Sequence, residues 1–447
     1  MPNPAGIRSR QIATEPPTQD TGSGILVRRT FAALRPSATS HPLAVRGAGV
    51  LLHVTSLPGG RLGADAFRFV DWLVDAGQTW WQILPLGQPN RLGSPYEAAS
   101  AFAAWAGLLA APRAPVTRAD VDAFATQHGW TADWERFAGP GALDDQVRFN
   151  REWTALRTYA NDRGVRILGD MPLYVAPDGA DTAVRSELFV RQEVAGCPPD
   201  YFTDDGQLWG SPLYDWPSVR ADGYRWWVER VRRTLDLVDA VRIDHFRGLV
   251  AYWSIPAGAP TARFGRWRRA PGRELLTAVR EQLGSVPFVA EDLGVITPAV
   301  HRLRRDFGLP GMAVLHFMMD HAPVQANRLW SEEDRVIYPG THDNAPSAHW
   351  LRQLSPAHRR HVDESLALAG IIGTRSAWSL VQLAHGAPAR IAIVSAQDLL
   401  GLGREGRMNT PGQRRGNWRW QLGRGALTRD LAARLRELTV AAGRCCS

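Results

Sequence analysis

From about residue 47 the chain alternates short, largely apolar runs with longer stretches whose apolar residues recur every three or four positions. The runs are Gly49–Val54, Trp80–Pro85, Val165–Gly169, Ala240–Ile243, Val286–Ala290, Met312–Phe317, Arg335–Tyr338 and Ile391–Val394. Each is rich in Val, Ile, Leu or aromatics and gives way to polar residues, Pro or Gly. A short apolar run alone does not separate a strand from a piece of buried helix. Alternating with helical stretches, these runs read as buried parallel strands. Ala66–Ala76, Phe149–Arg163 and Arg225–Leu237 have apolar residues at i, i+3, i+4 and i+7. Pro298–Phe307 opens with Thr297 in the N-cap position and Pro298 at the first helical position. Eight strands, each followed by helix, predict an α/β fold of the (β/α)8 (TIM) barrel type. A doubly wound sheet is the alternative, but no GxGxxG lies between a strand and a helix to favour it. Two excursions interrupt the repeat and read as irregular insertions. One covers about 95–150, between the second and third strands, and the other about 175–225, after the third. Insertions after barrel strands build the active-site face. Residues 1–44 read as a disordered polar tail, and 45–440 as the barrel with its insertions.

Composition narrows the function. Hydrophobic residues are 45% and charged residues 21% of the 447, as in ordinary soluble proteins. Three cysteines, Cys197, Cys445 and Cys446, make no disulfide framework and suit a reducing, cytoplasmic setting. The net charge of +8 taken alone suggests an anionic partner. Yet every one of the 52 basic residues is arginine, and they are scattered. That reads as the codon bias of a GC-rich genome, not as a nucleic-acid surface. Without lysine there is no P-loop lysine and no Schiff-base lysine, which excludes Walker-type NTPases and pyridoxal enzymes. The tail has no apolar h-region, and no run is long enough to span a membrane.

Barrel enzymes keep their chemistry at the C-terminal ends of the strands. Gly169-Asp170-Met171-Pro172 follows the third strand. The fourth ends Arg242-Ile243-Asp244-His245, the fifth runs into Glu291-Asp292, and Gly340-Thr341-His342-Asp343-Asn344 follows the seventh. Acidic residues at the ends of four strands converge on one mouth. Glycosidic cleavage needs one carboxylate at the anomeric carbon and one carboxylic acid at the leaving oxygen, about 5–5.5 Å apart in a retaining enzyme. Neighbouring strands are about 5 Å apart, so Asp244 and Glu291 suit that pair. Arg242, two residues before Asp244, shares its inward face and is expected to keep it ionised. Glu291 must hold a proton near neutral pH, so its surroundings should raise its pKa. Strand-end capping carboxylates and a metal site are the competing readings. No HxH or HExxH occurs, and Arg242 opposes a cation, so neither metal nor cofactor is expected.

These stretches resemble the 4-α-glucanotransferases (amylomaltases, disproportionating enzymes) of glycoside hydrolase family 77, in the α-amylase clan. The resemblance is carried by LLHVTSLPGG (51–60), AFRFVDWLVDAGQTWWQILPLG (66–87), SPYEAASAF (94–102), GDMPLYVAPDGAD (169–181) and PPDYFTDDGQLWGSPLYDW (198–216). It continues through AVRIDHFRGLVAYWSIPA (240–257), FVAEDLGVITP (288–298), FGLPGM (307–312), GTHDN (340–344), QDLLGLGREGRMNTPG (397–412) and GNWRW (416–420). It implies that Asp244 is the nucleophile, Glu291 the acid/base and Asp343 the transition-state stabiliser. It implies substrate contacts at Asp170, Arg242 and His342, and sugar-stacking roles for Tyr96 and Trp209. The implied donor is a maltodextrin or other α-1,4-glucan and the acceptor glucose or a maltodextrin, for a monomer or homodimer. Trp72, Trp80 and Trp81 read as core. The sequence departs from the family pattern at AAWAGLL (103–109), at Ser211, at Ala345-Pro346 and in a shortened stretch before residue 169. A retaining α-glucan hydrolase and a non-catalytic glucan-binding barrel remain open as alternatives.

Overall fold

A computed structural model describes residues 41–199, 204–284, 286–321, 334–373 and 375–445. The tail read at residues 1–44 therefore lies almost wholly outside the described residues. The strands, in chain order, are β1 (Gly47–Leu51), β2 (Trp80–Gln82), β3 (Arg166–Met171), β4 (Phe189–Cys197), β5 (Gln207–Tyr214) and β6 (Ala240–Ile243). They continue as β7 (Ala251–Pro256), β8 (Arg266–Arg269), β9 (Phe288–Ala290), β10 (Gly311–Val314), β11 (Arg335–Tyr338) and β12 (Ile391–Ser395). Eight of them, β1, β2, β3, β6, β9, β10, β11 and β12, close into a parallel barrel. All eight apolar runs supply a barrel strand. The Met312–Phe317 run is cut short, because Leu315 already begins a helix that continues to His321.

Side chains alternate across the barrel wall even though both faces are apolar. Trp80, Leu168, Val289, Val336, Tyr338, Ile391 and Ile393 fill the barrel interior. Trp81, Ile167, Val241 and Ala290 pack outward against the helices. Gly49 lies opposite Trp80 in the parallel register, and glycine allows the close approach, since a β-carbon there would lie 2.5 Å from that of Trp80. Trp72, Trp80 and Trp81 are all buried, as expected. The helices Ala64–Asp75, Ala142–Asp162, Arg225–Leu237 and Pro298–Asp306 match the predicted periodicity. Thr297 stands at the N-cap of the last, but its side chain makes no capping hydrogen bond.

The excursions contain more regular structure than the pattern suggested. The first holds helices Arg118–Gln127 and Thr131–Ala138 and the start of Ala142–Asp162. The second holds β4 and β5, which join β7 and β8 in a four-stranded antiparallel sheet of order β5-β4-β7-β8. The segment after β6 is thus a third excursion, which the sequence reading did not separate from the barrel repeat. Its strands are short and carry arginines and tryptophans (AYWSIP, RWRR), so no alternation of polar and apolar positions marks them.

At the opposite end from the strand ends, Arg444 is fully buried. It donates to the backbone carbonyls of His385 (2.7 Å), Ala387 (2.6 Å), Ala389 (2.8 Å), Gly47 (2.9 Å) and Arg390 (3.2 Å). It ties the C-terminal helix to the entrances of β1 and β12. Arg444→Ala removes these five hydrogen bonds. Although Arg46 still reaches the carbonyls of Ala387 and Ala389 and the Gly47 amide that of Arg390, the loss should cost about 3 kcal/mol. The measure is the urea midpoint; an unchanged midpoint would show the clamp to be dispensable.

Candidate active site

Alternation along the strands aims the candidate carboxylates at one point. On β6, Arg242 and the following Asp244 face inward while Ile243 packs outward. On β9, Val289 faces inward and Ala290 outward, so Glu291 faces inward. Ile243 pairs with Ala290 in the parallel register, which puts Asp244 and Glu291 on the same rung of adjacent strands. Strand spacing is about 4.8 Å, so the two backbones are placed for a retaining pair. Asp292, the other acid of the dipeptide, turns away. It is buried among Arg335 (2.7 Å) and Arg304 (3.3 Å) and accepts from the amide of Met312 (2.8 Å).

A continuous polar chain links six of the eight predicted site residues. Arg242 donates one terminal nitrogen to Asp170 (2.8 Å) and to Asp244 (2.9 Å). The Tyr96 hydroxyl is 2.8 Å from Asp170 and 2.7 Å from Nε2 of His342. Nε2 of His342 in turn lies 3.4 Å from Asp343. Burial holds His342 below the usual histidine range, so the ring is neutral. Asp170, paired with Arg242, accepts the hydrogen bond of the Tyr96 hydroxyl. That leaves Nε2 of His342 to carry the ring proton, toward the Tyr96 oxygen and Asp343. Glu291 accepts from the backbone amide of His245 at Oε2 (2.8 Å).

The two central carboxyls sit in different electrostatic settings. Burial pushes Glu291 up to about 8, against the pull of Arg242 and with the charge of Asp244 adding to the rise. Burial also raises Asp244, to about 6, with Arg242 opposing. Arg242 was expected to keep Asp244 ionised; it pulls against the desolvation that raises the group, and at about 6 Asp244 is ionised at neutral pH. The His245 amide occupies Oε2 of Glu291, so the acidic proton belongs on Oε1, free to face a leaving oxygen.

Two of the predicted aromatics are placed differently. Trp209 is half-buried, with its ring edge-on to His245 at 4.8 Å, so it stands over the end of β6 beside Asp244. Tyr96 has one ring face stacked on His342 at 5.4 Å and a second neighbour in Trp418 at 5.7 Å. One face is therefore already covered, and its hydroxyl is engaged in the polar chain.

Several contributors carried no role in the sequence reading. Asn409 donates to Asp343 (2.6 Å), and Arg407 donates to the Asp343 carbonyl (2.9 Å). They sit sixty residues downstream in a loop without periodicity, so only the resemblance flagged their stretch. His245 takes a left-handed φ of 51°, unusual for a residue with a side chain, and this turn is what brings its amide to Glu291. Among the described residues no group of three or more His, Cys, Asp and Glu side chains is placed to hold a metal ion. No helix among them is long and apolar enough to cross a membrane.

Comparison with known proteins finds relatives along most of the chain. The sequence model of the family described as 4-alpha-glucanotransferase matches residues 52–133 and 145–427. Its one interruption falls inside the first excursion. The chain is 37% identical to the 4-alpha-glucanotransferase of Thermus thermophilus, covering 89% of this chain and 99% of that one. It is 36% identical to that of Synechocystis, covering 89% and 98%. The solved structure of an amylomaltase from Streptococcus agalactiae in complex with acarbose superposes with a TM-score of 0.82 at 28% identity, over 90% of this chain and all of that one.

Proposed function

The chain belongs to the 4-α-glucanotransferase family, and from that membership we infer that it moves a segment of an α-1,4-glucan to the 4-hydroxyl of an acceptor glucose or maltodextrin. The observation that carries the residue roles is the shared rung of Asp244 and Glu291, with one carboxyl ionised and the other protonated at neutral pH. In the first step Asp244 attacks the anomeric carbon and Glu291 passes its proton to the departing glycosidic oxygen. The bond to the leaving glucan breaks, and a covalent glycosyl ester forms on Asp244. In the second step the glutamate left ionised takes the proton of an acceptor 4-hydroxyl. That oxygen displaces Asp244, and the α-linkage is restored. Asp343, held by Asn409 and the Nε2 proton of His342, faces the hydroxyls of the reacting ring. Asp170 is oriented by Arg242 and Tyr96 for the same ring. Trp209 offers an apolar face to a bound sugar. Tyr96 we assign to positioning as much as to stacking, because its ring and hydroxyl are both engaged.

Residues 45–440 form the catalytic unit in this reading, working in the cytoplasm as a monomer or homodimer, without cofactor, metal, nucleic acid or membrane. Incubation with maltotriose tests it. Glucose plus maltodextrins longer than the substrate, at constant total reducing ends, is the expected result. Reducing ends that rise without longer products would mean hydrolysis instead. No turnover of any maltodextrin would mean a glucan-binding barrel.

A further inference from the structure

The helix Arg225–Leu237 sets Arg230 and Arg233 three residues apart on one face, and both are only 2% exposed. Both line a cavity of about 80 Å³ whose walls also include Phe102, Pro172, Tyr96 and Asp170. Arg230 donates its terminal nitrogens to the carbonyls of Pro172 (2.5 Å) and Leu173 (3.2 Å) and to the Tyr214 hydroxyl (3.1 Å). Its Nε has no partner among the described residues. Arg233 donates Nε to the carbonyl of Phe102 (3.3 Å) and leaves both terminal nitrogens without a partner. Indole faces lie near both guanidiniums, Trp130 at 5.1 Å from Arg233 and Trp227 at 5.1 Å from Arg230. They attract positive charge but do not replace an acceptor. Asp236, whose charge favours Arg233, faces His128 at 4.0 Å. Asp170 is engaged by Arg242 and Tyr96.

Three buried donors, all on cations, thus meet at one small cavity without an acceptor. Buried charge is costly unless paired. Water supplies an acceptor but no countercharge, whereas a small anion supplies both, and its volume suits the space. We infer that this cavity binds an inorganic anion of chloride's size, held between Arg230 and Arg233. The ion braces the site without touching the reaction. Arg230 already holds the carbonyls that directly follow Asp170-Met171, and Arg233 holds the end of the segment that carries Tyr96.

Thermal unfolding of the full chain at constant ionic strength, with chloride exchanged for gluconate, tests the inference. Gluconate is too large for the cavity. The midpoint should rise by several degrees with chloride and level off as the site fills, bromide should act alike, and Arg233→Met should remove the dependence. A crystal of the unaltered protein soaked in bromide should show an anomalous peak within hydrogen-bond reach of the Arg233 terminal nitrogens, which decides the matter even if the variant fails to fold. Equal midpoints in chloride and gluconate, with no bromide peak at this place, would overturn the proposal and leave a water-filled cavity.

Discussion

Asp244→Asn should abolish glucan transfer, lowering kcat on maltotriose by on the order of 10⁴-fold or more. The amide nearly preserves the shape of the carboxylate, so the loss isolates nucleophilicity. Asp244 is one of two acids on Arg242; Asp170 remains bound to the same guanidinium at 2.8 Å and 2.9 Å. The pocket therefore keeps a charge-paired cation and should stay folded and able to bind. Isothermal titration with maltodextrin should show affinity within about tenfold of the unaltered protein, a difference of about 1.4 kcal/mol. A variant that keeps most of its kcat and suffers only in KM would make Asp244 a binding group, and the double-displacement assignment would fall with it.

Much of this barrel is readable from the chain because the closed parallel sheet is buried on both faces, so each strand is a short block dominated by apolar residues. The ends of those blocks then locate the carboxylates with no further information. Legibility stops where packing takes over from periodicity. β7 is stabilised by pairing with β4, a segment about sixty residues away, and β8 by pairing with β7 and by the edge-on contact of Trp253 with Trp267 at 5.2 Å. The supports of Asp343 are of the same kind. Asn409 has no local reason to be where it is, and only the closed fold brings it to 2.6 Å from the carboxylate. The chain likewise places Arg242 beside Asp244 without showing how strongly burial opposes its pull. A sequence shows which charges are neighbours, but the depth of burial, which raises both Asp244 and Glu291, belongs to the assembled barrel. Tyr96 shows the same limit: its type suited a sugar platform, but the assembled mouth fills one of its faces with His342.

Glu291→Gln should lower turnover of maltotriose by about 10²–10⁴-fold, and the loss should depend on the leaving group. Glutamine still accepts the His245 amide hydrogen, so the turn at the end of β6 survives. It has no acidic proton to give, and a glucan cannot depart as its alkoxide. A maltosyl fluoride donor needs no such proton, since fluoride leaves as a stable anion. With it, the first step should recover in the variant, while the second stays slow for want of a base to activate the acceptor. The pH profile gives an independent reading. Glu291 works protonated, so the activity of the unaltered enzyme should fall as pH rises through about 8. Asp244 works ionised, so activity should fall as pH drops through about 6. Together they predict a bell centred near neutrality. In Glu291→Gln acting on the fluoride, the alkaline limb should vanish and the acid limb remain, because only Asp244 is still titrating in the first step. An alkaline limb that persists in the variant would assign the acid to another group, and a first step (fluoride release) as slow as that on maltotriose would place the defect in binding or folding.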